Sequence, residues 1–114
     1  MIAVIFEVTP KDGEKDSYLD IAAGLKPHLA EIDGFISVER FQSLTDPRKM
    51  LSISFFEDEA ALEQWRNLAA HRSGQSVGRE KIFDDYRIRI ASVVRDYGMF
   101  DRDQAPKDSL DVHD

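Results

Sequence analysis

The sequence predicts an α+β fold: a four-stranded antiparallel sheet with two helices on one face, in the order β-α-β-β-α-β. Three observations carry that prediction. Four runs, at residues 2–8, 35–41, 50–56 and 86–97, alternate in polarity or are apolar on both sides. Two stretches between them repeat apolar residues at helical spacing. The joints are short and hold Gly, Pro and Asp, the residues of turns. At 114 residues the chain has the size of a single domain, placed over residues 1–97, with an acidic tail over 98–114.

The first run puts Ile2, Val4, Phe6 and Val8 on one face and Ala3, Ile5 and Glu7 on the other. A strand apolar on both sides suits the middle of a sheet. Pro10 and Asp12-Gly13 end it. Asp16 or Ser17 is placed to cap the first helix, which runs to about Ile32 with Tyr18, Ala22, Leu25, Leu29 and Ile32 along one stripe. Pro27 inside it predicts a kink. Gly34 is the stop, free to take the left-handed conformation.

In the second strand Ile36, Val38 and Arg40 share one face, and Phe35, Ser37, Glu39 and Phe41 the other. Residues 43–49 form a polar loop with Asp46-Pro47 at its tip, which predicts an antiparallel hairpin. In the third strand Leu51, Ile53 and Phe55 oppose Met50, Ser52, Ser54 and Phe56. Asp58 is a ready N-cap for the second helix. Its inner residues are Ala61, Leu62, Trp65, Leu68 and Ala69, and Gly74 is its expected end. Residues 76–85 read as a short helical piece anchored by Ile82 and Phe83. In the last strand Ile88, Ile90, Ser92 and Val94 face one way, and Arg87, Arg89, Ala91, Val93 and Arg95 the other. The tail has few apolar groups to bury, although Met99, Phe100 and Leu110 are placed to order against a partner subunit.

Composition narrows the function. A net charge of -7, with no basic aromatic strand motif, argues against nucleic acid. The absence of Cys removes disulfides, zinc-thiolate sites and thiol catalysis. His28, His71 and His113 do not fall at metal-binding spacing, so no metal is expected. No apolar run approaches the roughly 20 residues that span a bilayer, and the expectation is a cytoplasmic protein away from membranes. With both helices on one face, the other face of the sheet is bare. A second copy packed sheet to sheet is the simplest cover, so a homodimer is expected.

Four segments carry a family resemblance: GFISVERFQS at 34–43, LSISFFEDEAALEQWR at 51–66, HRSGQSVGRE at 71–80 and DYRIRIASVVRDY at 85–97. Gly-Phe opening the second strand, a Trp in the second helix and His-Arg six residues on resemble the antibiotic biosynthesis monooxygenase (ABM) domain of the dimeric α+β barrel superfamily. The resemblance implies a homodimeric barrel with a pocket between helices and sheet. It implies oxidation of an electron-rich aromatic or quinol by dioxygen, with no metal or flavin cofactor. Haem binding or breakdown, known among relatives, is the alternative, and a non-enzymatic dimeric ligand-binding or stress-response module is another.

On that reading Trp65 lines the pocket, although a large aromatic on a helix's inner stripe is also ordinary core. His71 is the base, since imidazole titrates near neutrality, and a polar His near a helix end is the plainer account. Arg72, Arg87 and Arg89 are candidate clamps for an oxygenation anion. On a strand, alternating charges also read as a solvated or dimer-facing surface, with cross-strand pairs such as Glu39 with an Arg. Ser52, Ser54 and Arg40 are placed to orient a ligand oxygen. The Asn that some monooxygenase members carry one turn before the Trp would fall at Ala61.

Overall fold

The computed structural model of the chain describes residues 1–75 and 82–110, with the side chains of 69–75 and 110 outside that description. Its elements are β1 (Ile2–Pro10), α1 (Lys15–Ala30), β2 (Phe35–Gln42), β3 (Met50–Phe56), α2 (Glu59–Gln75), β4 (Phe83–Ser92) and a final turn of helix, α3 (Lys107–Leu110). The strands form one antiparallel sheet in the order β2-β3-β1-β4. β1 is central, as its two apolar faces require. This is the ferredoxin-like arrangement expected from the element order.

The joints work through named atoms. Gly34 has a φ of 91°, and its carbonyl accepts from the Glu57 N–H at 2.7 Å, tying the start of β2 to the end of β3. A Cβ built there would lie 2.9 Å from the Cβ of Ala61, so glycine is needed for conformation and for space. Asp58 caps α2 by accepting from the Ala61 N–H at 2.9 Å. Ala61 is thereby in the core, 1% exposed, and packed under Gly34. In the β2–β3 hairpin, Ser43 Oγ accepts from the Asp46 N–H, and Gln42 Nε2 donates to the Lys49 carbonyl at 2.9 Å.

Several element ends differ from the sequence reading. Neither Asp16 nor Ser17 caps α1. Glu14 holds the N-cap position without a side-chain bond, because the turn before it already starts the helix with Tyr18 N–H donating to the Glu14 carbonyl. The helix passes Pro27 and stops at Ala30, short of Ile32, which still packs on the core. α2 continues through Gly74 to Gln75. β4 begins at Phe83 and ends at Ser92, not 86–97. It lies along β1, with Phe83 opposite Pro10 and Ser92 opposite Ile2, so it ends where its neighbour does. Phe83–Asp85 of the expected helical piece are therefore strand, and residues 76–81 lie outside the described residues.

After β4 an arm leaves the sheet. Arg102 stitches it together, with its guanidinium 5.3 Å from the Tyr97 ring centre and donating to the carbonyls of Gly98 and Ser109. Val94, Met99 and Phe100 project from this arm into solvent.

Candidate active site

Register and alternation sort the sheet into two faces. On the face that meets the helices, successive rows from β2 to β4 read Phe35–Phe56–Ile2–Ser92, Val38–Ser54–Val4–Ile90, Arg40–Ser52–Phe6–Ile88 and Gln42–Met50–Val8–Tyr86. Two apolar clusters lie between this face and the helices. One joins Val4 and Phe56 to Leu29, Ala61 and Leu62, with Trp65 packed on it. The other joins Val8 and Met50 to Tyr18, with Phe6 and Phe83 alongside. Between them runs a polar seam of Ser52 and Ser54, 8% and 5% exposed, and Arg40, whose Nε is buried without a hydrogen-bond partner among the described residues. A buried N–H with no partner is costly. The seam therefore holds an unmet donor in an otherwise apolar layer.

Trp65 is half-buried, edge-on to Phe56 with ring centres 6.4 Å apart. It shares the helix face with Ser52 and Ser54. His71 and Arg72 lie in the later turns of α2, and their side chains are outside the described set. α2 returns the chain from the end of β3 to the start of β4. Its rise carries His71 roughly 9 Å from Trp65, toward the Tyr86 end of the sheet.

The helices leave part of this face open. Tyr86, Ile88 and Ile90 of β4 are 56%, 41% and 51% exposed, although they sit on the helix side. Beside them Phe6 contacts Tyr86, Phe83 and Tyr18 with ring centres 5.7 to 6.4 Å apart. The result is an exposed apolar strip along β4 beside Phe6 of β1, with the serines on β3, one strand further in. These floor residues carried no ligand role in the sequence reading. The available signal was the alternation of β4, which already separated Ile88 and Ile90 from the arginines.

Arg87 and Arg89 are not brought together with Trp65, Ser52 and Ser54. They lie on the opposite face, across from Glu7 and Ile5 of β1. Arg89 Nη1 bonds Glu7 Oε2 at 2.8 Å, and Lys49 Nζ approaches Glu7 Oε1 at 3.6 Å. Glu7, not Glu39, is thus the carboxylate that an Arg of β4 pairs with. The Arg89 hydrogen bond, with the Lys49 charge, holds the Glu7 carboxyl below its ordinary value.

Comparison with known proteins agrees with this fold. A family model described as antibiotic biosynthesis monooxygenase matches residues 1–76. A jasmonate monooxygenase ABM from Pyricularia oryzae is 46% identical over 93 residues, which is 82% of this chain and 43% of that protein. The chain thus spans less than half the length of that relative. The uncharacterized protein YqjZ of Bacillus subtilis is 27% identical over 82% of this chain and 79% of its own length. The solved structure of Rv0793 from Mycobacterium tuberculosis superposes with a TM-score of 0.72 at 12% identity, over 85% of this chain and 98% of that one, and shows the same fold. Among the described residues, no helix is long and apolar enough to cross a membrane.

Proposed function

We infer, for a chain that belongs to the antibiotic biosynthesis monooxygenase family, an oxygenase that acts on a small, mostly apolar ring compound with an ionisable oxygen. The observation that carries this is the open strip Tyr86–Ile88–Ile90, on the same sheet face as Trp65 and the buried serines. The apolar body of the substrate lies along the strip. Its oxygen points inward to Ser52, Ser54 and the unmet Nε–H of Arg40. Donors aimed at a developing oxyanion in a dry site favour deprotonation.

Electron-rich aromatics and quinols fit because, once deprotonated, they reduce dioxygen themselves and need no metal or flavin. For a ring methylene, one oxygen atom enters the product as a carbonyl. The other leaves as water with both methylene hydrogens. His71 serves as the base and Arg72 as a cation at the end of the strip. Arg87 and Arg89, on the far face, serve the homodimer in which that face is covered.

The test is oxygen uptake with a panel of anthrones and naphthalene quinols, with jasmonate included because a relative bears its name. The expected result is one labelled oxygen atom per product from isotope-labelled dioxygen, unaffected by chelators. Ile90→Asp and His71→Ala each lower turnover about 100-fold or more. Uptake that requires added haem or metal, or no uptake on any member of the panel, overturns the reading.

A further inference from the structure

In the rows on the helix-facing side of the sheet, Arg40 is the only charged residue. Glu7, Glu39, Arg87 and Arg89 all lie on the opposite face. The helix residues that pack down on the Arg40 side, Tyr18, Leu29, Ala61, Leu62 and Trp65, carry no charge. Other arginines find acceptors within the chain. Arg48 bonds Asp84, Arg89 bonds Glu7, and Arg102 donates to the carbonyls of Gly98 and Ser109. Arg40 Nε is buried and has no acceptor among the described residues. A guanidinium N–H left unmet in an apolar layer costs free energy, and an anion bound there recovers it.

The shape of the group narrows the anion. A guanidinium is planar, and its Nε–H lies parallel to one Nη–H. An edge that carries two oxygens accepts both bonds at once, whereas a lone oxygen leaves one donor unmet. Ser52 is buried directly across from Arg40 in the β2–β3 ladder. Side chains paired in this way have Cβ atoms about 5 Å apart, so the serine hydroxyl is within reach of an oxygen that the guanidinium holds. Beyond Ser52 the same row is apolar, with Phe6 and then Ile88. Strands lie about 4.8 Å apart, so from Ser52 to Ile88 the row is about 10 Å long, room for a bicyclic ring.

We propose that Arg40 is the residue that recognises the substrate's polar end, and that the substrate is a planar aromatic anion with two oxygens on one edge. A carboxylate and a hydroxyl beside a carbonyl share that chemistry. The guanidinium holds the edge side-on, Ser52 donates to one of its oxygens, and the ring lies along the row toward Ile88. The proposal rests on the site read above, and adds which edge of the substrate the site selects.

Binding of ligands that do not react with dioxygen tests it apart from turnover. Three aromatic anions differ at the edge in question. Lawsone, a hydroxynaphthoquinone, has a hydroxyl beside a carbonyl, naphthoate has a carboxylate, and pentachlorophenolate has a single oxygen. By calorimetry, at least one of the first two is expected to bind about tenfold or more tighter than pentachlorophenolate, and the tighter of them identifies the edge. If neither binds tighter, the proposal is overturned. Arg40→Lys keeps the charge and loses the fork, so the ratio of affinities is expected to fall below about threefold. A ratio equal to that of the unaltered chain overturns the role of Arg40. Far-ultraviolet circular dichroism shows whether the variant folds. Should it unfold, nitrogen-15 NMR of the unaltered chain reads the Arg40 Nε–H directly. Its resonance moves downfield with the tighter two-oxygen anion and less with pentachlorophenolate, and no movement, or equal movement, overturns the proposal. Selective two-oxygen binding by a chain that takes up no oxygen on any substrate removes the oxygenase reading alone, and oxygen uptake without that selectivity removes this one alone.

Discussion

The two faces of the sheet are built from the same strands and differ in what completes them. On the helix side, β3 offers Met50, Ser52, Ser54 and Phe56, all buried, and α1 and α2 supply the matching apolar atoms from within the chain. On the far side, the alternate residues Leu51, Ile53 and Phe55 are only half-buried, and no helix of the described chain lies over them. The difference teaches where stability is intrinsic and where it depends on concentration. The helix-side core holds the fold in a single copy. The far side is left half-covered in a single copy, and the proposed homodimer would complete its burial.

The largest expected effect separates the two faces. Phe56 is fully buried between Phe35 and Trp65, so Phe56→Ala is expected to cost about 3–5 kcal/mol in urea denaturation at any protein concentration. Ile53→Ala on the far side is expected to cost about 1–2 kcal/mol, with the loss growing as protein concentration rises. Equal, concentration-independent losses at the two positions would break the comparison. Next in size is Gly34→Ala. It puts a Cβ 2.9 Å from that of Ala61 and asks for a φ of 91°, so about 2–3 kcal/mol is expected. The loss falls on the junction that holds α2 over the helix face.

The smallest effect belongs to Glu7 on the far side. Its carboxyl is held below the ordinary value of 4.5, first by the Arg89 hydrogen bond and then by Lys49. A carboxyl with a lowered folded-state pKa stabilises the fold above its unfolded value and loses that contribution as pH falls through the folded one. The stability difference between the unaltered chain and Glu7→Gln should therefore be constant near neutrality and shrink below about pH 4.5. A difference that grows on acidification would contradict the pairing.

Much of this was legible in the residues. The two apolar faces of residues 2–8 announced a central strand, and Asp58 and Gly34 announced a cap and a turn that the structure contains. The limits of β4 were not legible, because a strand ends where its neighbour ends, and β1 is some 80 residues away in sequence. For the same reason the candidate site was only partly readable. Alternation says that Ser52 and Ser54 share a face, and that Arg87 and Arg89 share one. It does not say whether those are the same face. That needed the cross-strand register, which sets the serines beside Phe6 and Val4 and the arginines beside Glu7 and Ile5.

The central place of β1 bears on how the chain is made. That strand leaves the ribosome some 80 residues before Phe83–Ser92, one of its two flanking strands. Until then this apolar ribbon has an open hydrogen-bonding edge, the condition under which nascent chains stick to one another. Slowing translation over β4, or deleting it, should raise the fraction recovered in inclusion bodies. A circular permutant that begins at β3 brings the first ribbon beside its last neighbour as it is synthesised, and should lower that fraction.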